Sequence, residues 1–254
     1  MKSIRLVILL LFVLTVAISS CSDDNSPGGS NNNNVGGIDT GACAGGPTTI
    51  SDIDGNVYNV VSIGNQCWIK ENLKVTHYRN GAAIPTNLTD TQWQSTTSGA
   101  CADYDNNPTN TAVYGKLYNW YAVVDTQGLC PAGWHIPKDW EWNVLVKTLD
   151  ANADTTISGT QSTIAGGSMK EIGLSHWASP NTNATNSSNF TGLPGGYRDF
   201  IGPCNAIDKY GYWWSVTPYS SSSAYSRSIF STNGHITRNV LNKNYGFSVR
   251  CVRD

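Results

Sequence analysis

The stretch Cys130–Trp142 reads CPAGWHIPKDWEW and leads directly into an amphipathic helix. Pro137 suits the first turn of that helix, because its nitrogen carries no hydrogen that would be left unpaired. Asp139 and Glu141 place negative charge in the same turn, where the helix dipole favours it. Lys138 occupies the cap position, where a Ser or Thr side chain would ordinarily bond the backbone. Apolar residues then recur at the i, i+3, i+4, i+7 spacing of one buried helical face: Trp142, Leu145, Val146 and Leu149.

The cysteine in this stretch has two interpretations. Cys130 lies five residues before His135, so the pair could form a catalytic site, which requires a thiolate within hydrogen-bond reach of the imidazole. Alternatively, Cys130 is half of a disulfide that fixes the helix to the rest of the fold. The compartment in which the chain folds bears on the choice, because disulfides persist in oxidising surroundings.

The N-terminus predicts export. Residues 1–20 combine a basic start with a mostly apolar run at Leu6–Ile18, which is too short to span a bilayer as a mature helix. The sequence ISSC at Ile18–Cys21 resembles the lipobox of bacterial lipoproteins, with Ile in place of the usual Leu. We predict a lipoprotein signal peptide over residues 1–20 and lipidation of Cys21. Ordinary cleavage near Ser20 is the alternative.

Residues 21–47 predict a flexible tether, because almost no apolar side chain is available there to offset the entropy lost on ordering. Ser22 stands where an aspartate retains many lipoproteins in the inner membrane. Asp23 and Asp24 resemble the acidic export signal of surface lipoproteins in Bacteroidetes. We therefore expect an outer-membrane lipoprotein exposed at the cell surface, attached to the membrane by its lipid anchor. The alternative is a solvated linker in which the two acids occur by chance and carry no export signal.

The composition of the chain limits its class. Only 13% of its residues are charged, and Gly, Asn, Ser, Thr, Trp and Tyr are abundant, which favours short strands and polar loops over a helical bundle. The formal net charge is -2 and no basic run occurs, which argues against a nucleic-acid partner. The roughly 200 residues after the tether are enough for one domain with a sizeable core.

The cysteine count predicts disulfides. Beyond Cys21, the chain has an even number of cysteines, which in an oxidising compartment indicates three bridges. The closest two in sequence, Cys21 and Cys43, are 22 positions apart, which excludes CxxC redox motifs and local zinc knuckles. About fifteen pairings are possible from the count alone. The six cysteines concerned are Cys43, Cys67, Cys101, Cys130, Cys204 and Cys251.

Other elements follow from local pattern. Alternation over Gly55–Leu73 predicts two strands that turn at Gly64–Asn65, and Asn233–Gly234 predicts a hairpin, with Phe247–Val252 as a last strand beside it. The polar region Ala151–Asn189 predicts a long loop with one short ordered piece. A further helix is predicted from four residues at helical spacing: Leu117, Trp120, Tyr121 and Val124.

Six motifs occur along the chain in one order: IGNQCWIKENLK (Ile63–Lys74), YGKLYNWYAV (Tyr114–Val123), CPAGWHIPKDWEWNVL (Cys130–Leu145), FTGLPGGYRD (Phe190–Asp199), YWWSVT (Tyr212–Thr217) and GFSVRCVRD (Gly246–Asp254). Together they resemble the Fibrobacter succinogenes major paralogous domain. We predict that domain over residues 48–254. The family is similar, more distantly, to the C-type lectin-like fold in its formylglycine-generating-enzyme form, whose RLPTEAEWE helix start and GFRCVRD-type last strand have counterparts here.

The resemblance implies an α+β, C-type lectin-like fold in which two helices flank small, twisted antiparallel sheets. Disulfide bonds are expected to link these elements. Its N-terminal and C-terminal strands are expected to lie together. Cys130 precedes the helix and Cys251 lies in the last strand, so we expect them to pair. That bond would close a loop of about 120 residues and contribute about 4 to 5 kcal/mol on the chain-entropy model. The remaining expected pairs are Cys67 with Cys101 and Cys43 with Cys204.

The sequence predicts no catalytic residue, and the chain is expected not to be an enzyme. Formylglycine-generating enzymes work with a close cysteine pair that this chain lacks, so the resemblance does not carry their chemistry over. The four histidines form no HxH or HExxH motif, so no metal site and no cofactor are predicted. Calcium held by backbone oxygens and scattered acids such as Asp199 or Asp208 is the alternative.

The later aromatic residues are the candidates for ligand binding, because aromatic faces beside Asn and Asp suit sugars or peptides. Alternation along Tyr210–Val216 sends at least one tryptophan inward, and Arg198 has pairing with an internal acid as its alternative role. We predict a surface-displayed, non-catalytic domain that binds a glycan or a protein, in adhesion or substrate capture. An enzyme of altered chemistry and a purely structural envelope protein are the alternatives. The candidates are Trp177, Tyr197, Arg198, Tyr210, Tyr212, Trp213 and Tyr219.

Overall fold

A computed structural model describes residues 41–254 of the chain, which form a mixed α+β fold made mostly of small sheets. The predicted signal peptide, Cys21 and the tether up to residue 40 lie outside the described residues. The strands are β1 (Thr49–Ser51), β2 (Val57–Ile63), β3 (Gln66–Ile69), β4 (Cys101–Ala102), β5 (Leu117–Tyr118), β6 (Trp134–His135), β7 (Gly159–Ser162), β8 (Gly195–Arg198), β9 (Cys204–Ile207), β10 (Tyr210–Pro218), β11 (Ser223–Phe230), β12 (Ile236–Asn242) and β13 (Val252–Arg253). The helices are α1 (Asp90–Ser95), α2 (Pro108–Tyr114), α3 (Trp120–Val123), α4 (Asp139–Leu149) and α5 (Ala165–Met169).

The first sheet has the order β1-β2-β3-β13-β6 and joins the two ends of the domain. Strands β2 and β3 form the predicted hairpin, in which Ile63 pairs with Gln66 across Gly64–Asn65. In β13, Val252 pairs with Trp68 on one side and with His135 on the other. The C-terminal strand therefore lies among N-terminal strands, the arrangement that the resemblance implied.

The predicted position of the last strand beside the Asn233–Gly234 hairpin is wrong. The segment before β13 makes single bridges to two different elements, from Phe247 to Tyr118 and from Ser248 to Trp213. It runs between the sheets with its apolar side chains buried, so it does not continue the ladder of the hairpin. Only Val252–Arg253 forms a strand, and that strand belongs to the first sheet.

The second sheet has the order β7-β12-β11-β10-β8-β9. Strands β11 and β12 form the predicted hairpin around Asn233–Gly234, with Arg227 opposite Arg238. Its central strand β10 is covered on both faces, because Trp213 packs in the core beside α4 and Trp214 packs in the core around the disulfides. Both tryptophans of this strand therefore point inward, to opposite sides of the sheet.

Helix α4 forms where the sequence predicted it, with Trp142, Leu145 and Val146 fully buried. The cap that Lys138 cannot supply comes from elsewhere: the Thr217 hydroxyl accepts a hydrogen bond from the Asp139 backbone N–H at 2.9 Å. Glu141 accepts the Lys138 N–H at 2.8 Å. Asp139 also ties the helix to the second sheet, since its carboxylate contacts two arginines, Arg227 at 2.8 Å and Arg238 at 2.6 Å.

The other predicted helix is mostly wrong. Leu117 lies in strand β5, paired with β4, and only the single turn α3 is helical. Asn119 explains the break, because its side-chain oxygen accepts the Ala122 backbone N–H at 3.0 Å and so caps a new helix after the strand. The loop after α4 also holds more structure than predicted, namely β7 as well as the short helix α5.

The structure contains the predicted Cys130–Cys251 disulfide, with the two Cα atoms 6.0 Å apart. The other two predicted pairings are wrong, because Cys43 bonds Cys67, with a Cα–Cα distance of 5.0 Å. The reason is tertiary packing. The segment around Cys43, which the sequence assigned to the tether, packs on the β2–β3 hairpin, and the Cys43 backbone N–H donates to the Ser62 hydroxyl. Cys101 and Cys204 are free thiols, and burial raises the pKa of both, that of Cys101 to about 11.

Candidate functional site

Three of the predicted binding residues meet on one face of the second sheet. Tyr210 and Tyr212 alternate along β10 and so share a face, and Tyr197 of the neighbouring strand β8 lies 5.4 Å from Tyr212 between ring centroids. Tyr245, from the loop after β12, lies 5.9 Å from Tyr197. These four partly exposed rings, Tyr197, Tyr210, Tyr212 and Tyr245, are called the tyrosine surface below.

Phenylalanines hold the tyrosine surface in place. Phe247 stacks on Tyr212 at 4.8 Å and on Tyr245 at 5.4 Å, with nearly parallel planes in both pairs. Phe200 meets the edge of Tyr245 at 5.3 Å and keeps more than a third of its own surface exposed. Because Phe247 itself is buried, the rings are fixed from below while their outer faces meet solvent.

Glycine makes the close approach of β8 possible. Gly196 has a φ of +64° and pairs with Gly211 of β10, the single register at which the two strands run parallel. A Cβ atom at Gly196 would lie 2.5 Å from the Asn205 carbonyl oxygen, so no other residue fits there without displacing β9. The Gly195–Gly196 pair thus places Tyr197 against β10.

The hydroxyl groups of the tyrosine surface influence one another. Burial, followed by the neighbouring Tyr197, Tyr210 and Tyr245, raises the pKa of Tyr212 to about 12. Burial and the carboxylate of Asp199 raise the pKa of Tyr197 and of Tyr245. These three phenols therefore stay protonated at neutral pH, where each can donate and accept a hydrogen bond.

The tyrosine surface has a shallow depression and open polar groups. A cavity of about 80 Å³ lies among Tyr197, Tyr212 and Tyr245, with Leu241 and Phe247 as its remaining lining. Within residues 41–254, the hydroxyls of the four tyrosines form no hydrogen bond to the protein, so all of them are available to a ligand.

The other predicted binding residues do not reach this surface. Trp177 and Trp213 are buried, and their indole N–H groups donate to the Gly192 carbonyl and to Asn72 Oδ1. Arg198 is buried too, but the acid that it contacts, Asp90 at 3.2 Å, has an exposed side chain and is not the internal acid of the alternative prediction. Its guanidinium also lies 4.4 Å from the centre of the Trp93 ring.

One predicted residue is exposed elsewhere, and three contributors to the site were missed. Tyr219 is 60% exposed and contacts Tyr225, outside the tyrosine surface. Tyr245, Phe247 and Phe200 were not predicted. The sequence carries a signal for the first two, because they flank Gly246, where the last of the six motifs begins, in a chain where Phe is scarce.

The disulfide removes the Cys130–His135 pair as a nucleophilic site, because a bonded sulfur is no thiolate. His135 instead bridges two carboxylates: its Nδ1 lies 2.6 Å from Asp254 Oδ1 and its Nε2 lies 2.9 Å from Glu141 Oε1. Both ring nitrogens are therefore engaged within the protein. The imidazolium form satisfies both carboxylates at once, since only it can donate from both nitrogens.

Residues 41–254 contain neither a metal-ligand cluster nor a membrane-spanning helix. Across residues 41–254, no three His, Cys, Asp or Glu side chains lie close enough together to hold a metal ion. Among the helices of this same range, none combines the length and the apolar character that crossing a bilayer requires.

The fold and site together define a disulfide-bonded α+β domain with an aromatic surface. The model of the Fibrobacter succinogenes major domain matches residues 61–253, and the chain belongs to that family. No curated protein matches the sequence.

Proposed function

We propose that this chain is a lipoprotein displayed on the outer membrane, whose domain binds a glycan without catalysing a reaction. The observation that carries the proposal is the tyrosine surface, where four rings stand together with free hydroxyls above a buried Phe247. Display at the cell surface, through a lipid on Cys21, rests on the export features of residues 1–24.

The chemistry of the tyrosine surface matches that of sugars. A sugar ring has apolar C–H faces and a rim of hydroxyls, and a partly exposed tyrosine offers an apolar face and a polar tip. The cavity of about 80 Å³ is too small for a buried ligand of ordinary size, but it fits one edge of a ring held mainly at the surface. Asp199, which contributes to the raised pKa of Tyr197 and Tyr245, would accept bonds from sugar hydroxyls.

The same proposal takes the fold to be C-type lectin-like. It is supported by the C-terminal strand β13 lying between β3 and β6, by the α4 helix after a Pro, and by the disulfide from Cys130 to Cys251.

A glycan array tests the proposal. The probe is the exported chain with Cys21→Ser, which removes the lipid and leaves every described residue unchanged. It is applied with calcium and again with a chelator, to separate direct recognition from calcium-dependent recognition. We expect selective binding to a small set of polysaccharides, and flat signals across chemically varied polysaccharides would count against it.

A pair of matched variants locates the site. Tyr197→Ala removes the ring that contacts Tyr212, Tyr245 and Phe247, and it should weaken glycan binding by about ten- to a hundredfold, the effect of losing an aromatic hot spot. Tyr219→Ala removes a more exposed tyrosine outside the site and should leave binding unchanged. Equal losses of glycan binding in the two variants would place recognition outside the tyrosine surface. Binding of a protein to the tyrosine surface would show that the ligand is a protein and not a glycan.

A further inference from the structure

The depression of the tyrosine surface has the lining of an aromatic cage. Four of its five lining residues are aromatic, and the fifth is Leu241. The centroids of neighbouring rings lie 4.8 to 6.4 Å apart. A compact group seated among them therefore lies within about 6 Å of several ring centroids, which is the range of a cation–π contact. The four rings are those of Tyr197, Tyr212, Tyr245 and Phe247.

The rings of the depression are steeply inclined to one another. Tyr197 stands at 75° to Tyr212 and at 64° to Tyr245. Tyr212 and Tyr245 are each nearly parallel to Phe247. Two ring orientations therefore border one space, whereas a flat stacking platform would have a single orientation. Such a cage suits a round group, because a round group meets rings on more than one side.

Within residues 41–254, no basic side chain lies over a ring of the depression, and no Lys or Arg lines it. Other aromatic rings of the same chain do hold a cation. The Arg238 guanidinium lies 3.9 Å from the centre of the Tyr225 ring, and Lys243 Nζ lies 4.3 Å from that of Trp120. The electron-rich faces of the depression are therefore available to a cation from outside the protein.

A carboxylate acts on the same rings. Asp199 lies two positions after Tyr197, and after burial its charge is the next cause of the raised pKa of Tyr197 and of Tyr245. Its Oδ1 accepts the Ile201 backbone N–H at 3.2 Å. Within the described residues it forms no ion pair. The carboxylate and the ring faces therefore favour the same kind of ligand, a cation.

We propose that the depression binds a quaternary ammonium group, carried by the glycan that the tyrosine surface holds. The inference rests on the proposed function, because it names a substituent of the same ligand. A quaternary ammonium group is round, apolar at its surface and positively charged, which suits a cavity of about 80 Å³ lined by aromatic rings. A primary ammonium is strongly hydrated and needs acceptors for three hydrogens, so it should bind less well.

Nuclear magnetic resonance of the exported Cys21→Ser chain, with ring-labelled tyrosines, tests the depression with three small probes. Choline carries the quaternary ammonium group. The second probe, 3,3-dimethylbutanol, has the same shape without the charge, and ethanolamine has the charge without the methyl groups. We expect choline to shift the rings of Tyr197, Tyr212 and Tyr245 and to bind about tenfold more tightly than either other probe. Tyr219, which lies outside the depression, should not shift.

Two variants of Tyr245 separate the ring from its hydroxyl. Tyr245→Phe keeps the ring and should keep the affinity for choline within about twofold, whereas Tyr245→Leu removes the ring and should weaken binding about tenfold. Tyr219→Leu is the matched control, because it removes an exposed tyrosine outside the depression, and it should leave the affinity for choline unchanged.

A further pair of variants tests the carboxylate. Asp199→Asn keeps an acceptor for the Ile201 N–H and removes the charge. It should weaken choline binding about threefold and leave 3,3-dimethylbutanol binding unchanged, because only choline is charged. Asp105→Asn removes an exposed acid outside the depression and should change the binding of neither probe.

Several results would overturn the proposal. Binding of 3,3-dimethylbutanol as tight as that of choline would show that the charge takes no part, and equally tight ethanolamine would show that the methyl groups take none. Equal losses in Tyr245→Phe and Tyr245→Leu would assign choline to the hydroxyl and not to the ring. The absence of tyrosine shifts at about 10 mM choline would show that the depression does not bind this group.

The choline titration and the glycan array can fail separately, because choline is no sugar. Selective glycan binding without choline binding would overturn this inference and keep the proposed function. Choline binding in the depression with a flat array would keep the ammonium site and overturn the glycan as its carrier.

Discussion

The buried tryptophans and the four tyrosines of the tyrosine surface occupy opposite environments. Seven of the nine tryptophans donate the indole N–H to an acceptor in the protein, and most of those rings are fully buried. The four rings of the tyrosine surface are only partly buried, and their hydroxyls have no partner within residues 41–254. These aromatic residues therefore have two roles, one in the core and one at the surface. A ring whose polar atom has a partner in the protein belongs to the core, and a ring whose polar atom has none belongs to the surface.

The physical cause is the cost of an unpaired polar atom in the interior, about 1 to 3 kcal/mol. Trp213 is buried because Asn72 Oδ1 accepts its N–H at 2.8 Å, and that oxygen also accepts from the buried Arg250 at 3.0 Å. Tyr212, one residue away, has no such acceptor for its hydroxyl and leaves it at the surface. Both residues are aromatic and both lie in β10. What differs is whether another part of the fold supplies an acceptor for the polar atom of the ring.

The largest expected effect on stability comes from truncating a buried tryptophan. Trp213→Ala should lower the free energy of unfolding by about 3 to 5 kcal/mol, because it opens a cavity against Trp142 and Phe190 and leaves Asn72 short of a donor. Trp140→Ala is the matched control, since that ring is 57% exposed and its loss should cost about 0.5 kcal/mol or less. Urea unfolding measures both, and similar losses would erase the contrast between buried and exposed rings.

The next effect is a pH dependence at the tyrosine surface. The pKa of Tyr212, about 12, lies above its ordinary value of 10.0, so between these pH values the folded state holds a proton that the unfolded state loses. Stability should therefore be full below about pH 10 and fall as pH rises to about 12, by about 2 kcal/mol from this residue.

The Tyr212→Phe variant isolates that contribution. It has no proton to lose, so its unfolding free energy should fall less steeply over the same pH range than that of the unmodified protein. Parallel stability curves for the two proteins would mean that Tyr212 titrates like a solvated phenol. Absorbance of phenolate during the same titration reports the pKa directly.

The smallest effect on stability is expected from Tyr210→Phe. This change removes only a hydroxyl that has no protein partner, so the free energy of unfolding should change by about 0.5 kcal/mol or less. Glycan affinity should nevertheless fall by about three- to tenfold, because the hydroxyl is available to bond the ligand. Loss of stability without loss of affinity would assign Tyr210 to the fold and not to the site.

Local patterns predicted local structure. The stripe of Trp142, Leu145 and Val146 gave helix α4, and the Gly64–Asn65 and Asn233–Gly234 turns gave both hairpins, because each signal lies within a few residues of its effect. The Cys130–Cys251 bond was also predicted, because Cys130 precedes a helix expected to pack on the sheet and Cys251 lies in the last strand. Helix α3 shows the limit, since the Asn119 cap breaks a periodic stripe.

What depended on distant packing was not predictable. Cys43 pairs with Cys67 because the segment before β1 lies on the first hairpin, which no spacing of cysteines reveals. Alternation predicted at least one inward tryptophan in β10, and both lie in the core because this strand is covered on both faces. Of the candidate site, Tyr197, Tyr210 and Tyr212 were named in advance, but their meeting with Tyr245 requires the parallel contact at Gly196.

The central claim is that the tyrosine surface contacts the ligand, and nuclear magnetic resonance of selectively ring-labelled tyrosines tests it most directly. A polysaccharide selected on the array is titrated into the Cys21→Ser chain, with resonances assigned by the single Tyr→Phe variants. The account predicts shifts of Tyr197, Tyr210, Tyr212 and Tyr245 that saturate together, while Tyr219 and Tyr225 stay unchanged. Saturable binding that leaves those four rings unmoved, or that shifts Tyr219 instead, would contradict it.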